Sequence, residues 1–387
     1  MRYLLILPCN GTGGTEQYVC RLAAAAAGRS WQVHVAFPQD ADGTYLDLAR
    51  QVQQAGATCH RLQISDAAAA QRDKRHYVLH VARTAALLTR IRPDLVHVNL
   101  PWPDRGLGAI AACHFLRVPL AITLHVVPPE LAPAPGTHRV HRWAARGRCL
   151  WITGSHANRA LALHHLALPP DRVQCIYNGI DGPQWQSQIP ADRAASGREL
   201  LKELGLPAGA RLVTCVARIS SEKGYRELVQ AIPHLTREFP EVFFVWAGDG
   251  GGAAELRALS ARYQIQDRLR LIGYRRDVPR LLAASEIALL ASHFEASAYA
   301  LLEAMTAGTP LVASDATSIP EIVRPEVDGL LFRAGDACSL LEALRQALRD
   351  PARMRQLAQS AQERLPDFSQ ANTFRQTFAA LESLLAP

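Results

Sequence analysis

The stretch "EIALLASHFEASAYALLEAMTAGTPLVAS", residues 286–314, joins two apolar runs through a segment rich in Ala and Leu. A continuous apolar run is typical of a strand that is buried on both faces, as in parallel sheets. Ser297 is predicted to cap a helix that ends at Ala307. Gly308 and Pro310 follow at positions where helices commonly terminate. The stretch therefore predicts a strand, a helix and a second strand in a parallel sheet.

The same alternation of short apolar runs with amphipathic segments extends along the whole chain. It occurs twice, and the break between the halves is "NGIDGPQWQSQIP", residues 178–190. We predict an α/β fold of two Rossmann-like domains, residues 1–184 and 185–367, facing a central cleft. Ligands are expected at the carboxyl ends of the strands.

Composition indicates a globular protein without membrane spans. The 387 residues are 49% hydrophobic and 20% charged. The apolar run after Arg2 is too short for a signal peptide, and no run is long enough to cross a bilayer. The eight cysteines contain no C-x-x-C pair, which favours reduced thiols in a cytosolic protein over a zinc site or disulfides.

The positive charge is concentrated in the first half of the chain. Residues 1–190 hold 19 Arg and Lys against 11 Asp and Glu, whereas residues 191–387 hold 23 against 24. Solvated surface arginine is one explanation, and an anionic partner is the other. No aromatic-interleaved nucleic-acid module accompanies the arginines, so we expect no nucleic acid partner.

Two basic clusters stand out, residues 71–76 and 138–149. The second places Arg139, Arg142 and Arg146 at helical spacing beside Trp143. Such a face suits an anionic glycan, a lipid-phosphate acceptor or an acidic membrane surface.

Glu295 and Glu303 are carboxylates in a stretch that is otherwise apolar or small. Burial of an unpaired carboxylate is unfavourable, so each requires a partner. The free amides at residues 298–300, where the helix begins, form an anion site. A phosphorylated ligand with hydroxyls at both ends would satisfy the amides and both carboxylates. The alternative is that Glu303 pairs with a neighbouring arginine.

Other strand-to-helix turns carry cations or glycines. Arg218 and Lys223 lie in the turn of "CVARISSEKGYRELV", residues 215–229, where two cations can hold a diphosphate. Gly248 belongs to a glycine-rich turn after another apolar run, and Gly13 and Gly14 belong to a similar turn near the start of the chain.

Taken in order, several of these segments resemble a known enzyme family. They are "GGTEQYV", "TLH", "GSHANRAL", "IYNGID", "ARISSEKG", "AGDGGG", "LIGYRRDVPRLL", "FEASAYALLEAMTAGTPLVAS" and "PEIVRPEVDGLLF". Over essentially the whole chain, the sequence resembles the retaining GT-B glycosyltransferases of the glycosyltransferase 4, or group 1, family.

The resemblance implies roles for individual residues. Arg218 and Lys223 would hold the nucleotide diphosphate and stabilise it as it leaves. Glu295 would bind hydroxyls of the donor sugar, Glu303 would bind the ribose hydroxyls, and His125 would lie beside the reacting sugar. Further donor-binding residues are expected at seven positions: Gly13, Gly14, Asn178, Gly248, Tyr274, Ala298 and Tyr299.

The resemblance also implies a reaction. We expect hexosyl transfer with retained configuration from a nucleotide-sugar, without metal or other cofactor, to a glycan or lipid-linked acceptor. That reaction would serve cell-surface polysaccharide or glycolipid synthesis, in the cytoplasm or peripherally on the inner membrane face. The last helix, residues 368–387, would pack back on the first domain, which faces the acceptor. The turn from Ala296 to Tyr299 and the segment from Thr317 to Glu321 depart from the family pattern, so the donor sugar stays open.

Three alternatives are considered. Gly248, Gly250 and Ala253 give the G-x-G-x-x-A spacing of an NAD-dependent dehydrogenase, but no acidic residue clearly ends the next strand. Residues 40–42 have the D-x-D spacing of a metal-dependent glycosyltransferase, although we interpret them as a solvated turn. A non-catalytic GT-B-like binding protein is the third alternative.

Overall fold

The computed structural model describes residues 1–9, 13–38, 44–62 and 74–385. The D-x-D of residues 40–42 and residues 71–73 of the basic cluster 71–76 lie outside this part of the chain. The chain divides into two compact units: unit 1 is Met1–Tyr177 with Thr373–Pro387, and unit 2 is Asn178–Asn372. The sequence prediction placed the change between residues 184 and 185, and the return at residue 368.

Unit 1 is built on a seven-stranded parallel sheet. Its central strands are largely apolar runs because both faces of the sheet are covered. The strand order is β3-β2-β1-β4-β5-β6-β7. After β3 the chain returns to place β4 beside β1, in parallel, and the remaining strands are added on that other side. The strands are β1 Arg2–Ile6, β2 Gln32–Phe37, β3 Thr58–Arg61, β4 Leu95–Leu100, β5 Leu120–Leu124, β6 Cys149–Thr153 and β7 Val173–Cys175.

Helices cover both faces of this sheet. They are α1 Gly14–Ala27, α2 Thr44–Gln54, α3 Lys74–Ile91, α4 Leu107–Phe115, α5 Pro135–Ala144 and α6 His156–Leu166. Alternate residues of β1 point to opposite faces, so Tyr3 and Leu5 join one apolar core while Leu4 and Ile6 join the other.

Unit 2 repeats the plan with a six-stranded parallel sheet of order β10-β9-β8-β11-β12-β13. The strands are β8 Arg211–Val216, β9 Val242–Ala247, β10 Leu269–Leu271, β11 Ile287–Leu290, β12 Leu311–Ser314 and β13 Leu330–Phe332. The helices are α7 Gly182–Gln186, α8 Arg193–Glu203, α9 Tyr225–Glu238, α10 Ala253–Arg262, α11 Val278–Ala283, α12 Tyr299–Ala307, α13 Ile319–Ile322, α14 Ala337–Arg349 and α15 Pro351–Glu363.

The last helix, α16 Gln370–Ser383, belongs to unit 1 from Thr373 onward. Its Phe374, Phe378 and Leu381 are buried in the same core as Tyr3 and Leu5. The ring of Phe378 meets Trp31 edge-on at 5.1 Å between centroids. These apolar contacts hold the end of the chain against unit 1.

The start of α12 differs from the sequence prediction. Ala298, not Ser297, occupies the N-cap position, and no side chain caps the helix. Ala296 and Ala298 are both buried, so the turn is fixed by packing and not by a capping hydroxyl. At the other end the prediction is confirmed, since Gly308 ends the helix in the left-handed conformation with φ of 69°.

Candidate functional site

The candidate site in unit 2 lies where β8 and β11 end side by side. The two strands pair in parallel, so the turns that follow them share one edge of the sheet. The backbone N–H of His293 donates to the carbonyl of Glu222 at 2.8 Å, which joins the two turns directly. Gly224 has φ of +70°, and a Cβ there would lie 1.9 Å from the carbonyl oxygen of Ala291. Only glycine permits this close approach.

This approach places Lys223 against Glu295. Their Nζ and Oε1 atoms are 2.5 Å apart, and the side chains are only 17% and 13% exposed. The hydroxyl of Ser292 donates to the same carboxylate oxygen at 2.7 Å. The partner that the sequence required for Glu295 is therefore a lysine 72 positions away in the chain.

The backbone of Glu295 is fixed as well as its side chain. Its N–H donates to the Thr317 hydroxyl at 2.8 Å, and that hydroxyl donates to the Glu295 carbonyl at 2.5 Å. Thr317 itself has a left-handed backbone with φ of 39°. Held on both sides, the carboxylate has a defined position at the edge of the sheet.

Arg218, the second predicted cation, lies in the turn after β8 with a different partner. Its Nη2 is 3.6 Å from Oε1 of Glu222, and its side chain is 67% exposed. Glu222 also accepts a hydrogen bond from the Ser220 hydroxyl at 2.6 Å, and its pKa is lowered because this bond and the nearby cations outweigh burial. Arg218 thus extends into solvent, whereas Lys223 is largely enclosed.

Close backbone packing requires the glycines in the turn after β9. Gly248 and Gly250 have φ of 148° and 158°. A Cβ at these positions would lie 2.0 Å from the carbonyl oxygen of Ala217 and 2.3 Å from that of Ile219. These glycines therefore let the turn pack against the segment that carries Arg218.

The remaining predicted residues of unit 2 lie on α12, in the turn after β10 and at the start of the unit. Glu303 is partly buried on α12, Ala298 is buried at its N-cap, and Tyr299 begins the helix. Tyr274 is 59% exposed, and its N–H donates to the Asp249 carboxylate at 2.8 Å. Asn178 is partly buried at the start of unit 2.

In unit 1, His125 directly follows β5. Its Nε2 lies 3.2 Å from Oδ1 of Asn99, which is on the neighbouring strand β4. The amide nitrogen of Asn99 donates to the His97 carbonyl, so Oδ1 faces the imidazole and His125 Nε2 is the donor. Burial lowers the pKa of His125 to about 3, and the ring is therefore neutral near pH 7. Tyr18 meets this ring edge-on at 5.1 Å between centroids.

The other predicted residues of unit 1 are exposed. Gly13 and Gly14 are the N-cap and first residue of α1. Arg139 and Arg142 lie on α5, but this helix ends at Ala144, so Arg146 follows it. The prediction of one helical face for all three arginines is wrong for Arg146, because α5 ends before the turn at Gly147.

Sequence reasoning missed three polar residues that fix the candidate site residues: Ser292, Thr317 and Asn99. Asn99 carried a usable signal, because it stands near the end of an apolar strand as His125 does. Within the described ranges, no three His, Cys, Asp or Glu side chains come together as metal ligands would. Among the helices described, none is long and apolar enough to span a bilayer.

Two family models match the chain in succession. Residues 12–182 match the model described as Glycosyltransferase Family 4, and residues 197–364 match the model described as Glycosyl transferases group 1. Together they cover both units of the structure.

Two curated proteins illustrate the range of relatives. A glycogen synthase of Mycobacterium tuberculosis is 28% identical over 283 residues, which are 71% of this chain and 64% of that protein. The chain thus spans slightly less than two thirds of that relative. A UDP-Gal:alpha-D-GlcNAc-diphosphoundecaprenol alpha-1,3-galactosyltransferase of Escherichia coli is 28% identical over 269 residues, 67% of each chain.

Among solved structures, Anabaena HepE in complex with UDP and glucose superposes with a TM-score of 0.82. The two chains are 23% identical, and the superposition covers 99% of this chain and 100% of the other. At that identity the likeness establishes the fold.

Proposed function

Because this chain belongs to the glycosyltransferases of family 4, or group 1, and has their GT-B fold, we propose that it is a retaining hexosyltransferase. It moves a sugar from a nucleoside diphosphate donor to a glycan or lipid-linked acceptor, without a metal. The observation that carries this proposal is the enclosed Lys223–Glu295 pair at the strand ends of unit 2.

In this proposal Lys223 and Glu295 bind different parts of the donor, the diphosphate and the sugar. Lys223, together with the exposed Arg218, neutralises the diphosphate as negative charge develops on it. Glu295, which Ser292 and Thr317 hold in place, accepts hydrogen bonds from hydroxyls of the sugar. Donor binding thus replaces one enclosed ion pair with two ligand contacts, which limits the cost of separating the charges.

Helix α12 supports the nucleotide end of the donor. The N-terminus of α12, at Tyr299, carries the positive end of the helix dipole and suits a phosphate. Glu303 lies on the same helix and binds the ribose hydroxyls. Asn178, Gly248 and Tyr274 complete the donor contacts, and Gly13 and Gly14 contribute from unit 1.

His125 binds the reacting sugar as a neutral hydrogen-bonding group. An imidazole with a pKa of about 3 is a poor general base near pH 7. The acceptor hydroxyl therefore attacks the anomeric carbon on the face from which the diphosphate departs, and its proton passes to the leaving phosphate oxygen. The bond to the diphosphate breaks, a bond to the acceptor forms, and the anomeric configuration is retained.

We propose a UDP-hexose as the donor and an anionic or lipid-linked glycan as the acceptor. The galactosyltransferase named above uses UDP-Gal and a diphosphoundecaprenol-linked sugar, and the HepE structure contains UDP and glucose. These supports favour cell-surface polysaccharide or glycolipid synthesis, in the cytoplasm at the inner face of the membrane.

The proposal is tested by screening UDP-glucose, UDP-galactose, UDP-N-acetylglucosamine and GDP-mannose for hydrolysis and for an increase in Tm. One UDP-sugar is expected to raise Tm and to be slowly hydrolysed. Binding without turnover, with or without a panel of glycan acceptors, would favour the non-catalytic binding protein. Absence of both effects with all four donors, together with oxidation of NADH by a 2-oxo acid, would favour the dehydrogenase.

A further inference from the structure

Helices α4 and α5 both end on the side of the unit 1 sheet that is opposite to His125. Helix α4 ends at Phe115 just before β5 begins, and α5 ends at Ala144 just before β6 begins. His125 instead follows the last residue of β5. A strand of five residues is about 17 Å long, so residues 115–117 and 143–146 are at least that distance from the edge that carries His125.

Two apolar side chains are exposed at this opposite edge. Phe115 is 67% exposed and Leu116 is 42% exposed. Trp143 of α5 meets the ring of Phe115 edge-on at 4.7 Å between centroids, and its ring is tilted against that of His114 at 4.0 Å. We call Phe115, Leu116 and Trp143 the aromatic tip. The packing of Trp143 supports Phe115 from behind while leaving most of it accessible.

Four exposed arginines lie in the two segments that form the aromatic tip: Arg117 follows Leu116, Arg142 and Arg146 flank the end of α5, and Arg139 lies one turn earlier on that helix. We call them the arginine ring. None of them forms an ion pair with any residue that the structure describes. Arg146 lies close enough to His114 for its charge to contribute to the lowered pKa of that imidazole, after burial.

Carboxylates are scarce around the arginine ring. Between residues 107 and 150 the sequence contains only Glu130, which lies in the connection from β5 to α5. Near the starts of the neighbouring strands, Asp94 accepts the backbone N–H of Arg2 at 2.6 Å, and Asp171 lies 3.7 Å from Arg172. Among the residues of unit 1 that the structure describes, no carboxylate therefore pairs with the ring.

We propose that the aromatic tip and the arginine ring dock unit 1 onto an anionic lipid bilayer. Phe115 and Leu116 enter the boundary between headgroups and acyl chains, and the arginines contact the lipid phosphates. Exposed apolar side chains within a basic surface are typical of interfacial membrane binding. The sequence left the arginines between an acceptor and a membrane, and the distance of the aromatic tip from His125 favours the membrane.

The proposal deepens the membrane location of the proposed function but does not depend on sugar transfer. The test uses the full chain and co-sedimentation with vesicles of phosphatidylcholine, with and without phosphatidylglycerol, over a series of salt concentrations. The wild type is expected to bind the anionic vesicles at low salt and to be released as salt rises.

Removal of the ring charges is expected to weaken this binding strongly. The variant R139S/R142S/R146S should bind anionic vesicles about one hundredfold more weakly, because each cation near an anionic lipid surface contributes to the binding free energy. The matched control R198S/R237S/R257S removes three exposed arginines from unit 2 and should stay within about threefold of the wild type.

Removal of the apolar anchor is expected to have a smaller effect. F115S/L116S should weaken binding about tenfold, because less apolar surface leaves water on docking. The control V78S/L79S changes two exposed apolar residues on α3 and should bind as the wild type does. Unchanged Tm values and unchanged donor hydrolysis without vesicles would show that the variants are folded.

Three results would overturn the proposal: no binding of the wild type to anionic vesicles at low salt, equal binding to neutral vesicles, or equal losses in the ring variant and its control. Failure of the proposed function is separable from these. It would appear as intact vesicle binding by a protein that turns over no nucleotide-sugar.

Discussion

Units 1 and 2 share a parallel-sheet architecture but accommodate polar groups in opposite ways. Unit 1 buries neutral histidines: burial lowers the pKa of His97 and His125 to about 3 and that of His141 to about 4. Unit 2 pairs its charges. Asp328 is fully buried, yet Arg324 and Arg364 outweigh the effect of burial and hold the pKa of Asp328 at about 2.

This difference explains which cations are available to external ligands. In unit 2 the arginines beside Asp328, Glu203 and Glu238 pair with those carboxylates. At the strand ends Lys223 and Arg218 pair with Glu295 and Glu222, so an anionic ligand there takes the place of a carboxylate partner. In unit 1 the arginine ring has no carboxylate partner within the described chain. The positive charge of the first half therefore includes exposed arginines that an external anion can bind.

The largest expected difference between the units is their response to acid. A histidine whose pKa is lowered on folding binds its proton only after unfolding. Stability is therefore complete above about pH 6.5 and is lost as the pH falls towards the folded-state pKa. At pH 5 each of these buried imidazoles should lower the free energy of unfolding by about 2 kcal/mol. Together, His97, His125 and His141 should lower it by about 6 kcal/mol.

The carboxylate of Asp328 responds in the same direction but at lower pH, since its stabilising effect is present above about pH 4 and is lost as the pH falls towards 2. Hydrogen exchange measured by peptide mass spectrometry from pH 7 to pH 3 can follow the two units separately. Unit 1 peptides should lose protection near pH 5 while unit 2 peptides retain it. Loss of protection in both units at the same pH would contradict the comparison.

The next effect concerns the buried charge of unit 2. D328A should lower the free energy of unfolding by about 3 kcal/mol, because two arginines lose their enclosed partner. The control D47A removes a carboxylate that pairs with Arg50 on an exposed surface and should cost less than about 0.5 kcal/mol. Denaturant unfolding measures both. Equal losses of unfolding free energy in D328A and D47A would mean that burial of Asp328 does not increase the contribution of its ion pairs to stability.

A smaller effect is expected at the ribose contact. E303A should weaken binding of free UDP by about 1.5–3 kcal/mol, since a charge-assisted pair of hydrogen bonds is lost. Folding should survive the change. E342A removes an exposed carboxylate from α14 and should leave UDP affinity unchanged. Calorimetric titration distinguishes the roles, because unchanged affinity with reduced stability would make Glu303 a structural ion-pair member.

The smallest effect is expected from chelation. If protein cations take the place of a metal, EDTA should leave the transfer rate unchanged. The measurement is the initial rate before and after dialysis against EDTA. Loss of activity that Mg²⁺ or Mn²⁺ restores would overturn the metal-independent reaction.

The fold was largely predictable because its signals are local. Continuous apolar runs such as those of β8, β9 and β11 specify buried parallel strands, and Gly308 marks the end of α12. The start of α12 was missed because buried alanines, and not a capping side chain, set it. Arg146 was misplaced because helical spacing alone does not show that α5 ends at Ala144.

For the candidate site, the sequence nominates residues but does not predict the contacts between them. Two lone features, a carboxylate in an apolar stretch and a cation before a glycine, indicated Glu295 and Lys223. Their pairing joins residues 72 positions apart and depends on the neighbouring positions of β8 and β11 in the sheet. Gly248 illustrates the reverse case, since the structure gives this glycine a packing reason that its sequence motif did not reveal.

The most direct test of the proposed transfer reaction is the turnover of K223A at saturating donor, beside K202A as a matched control. Lys202 is exposed on α8, so its loss should leave turnover within about twofold of the wild type. Loss of Lys223 removes charge stabilisation from the departing diphosphate and should lower turnover by about 10²–10³, as should R218A. Wild-type turnover by K223A, in a protein whose Tm is unchanged, would contradict the role of the Lys223–Glu295 pair in sugar transfer.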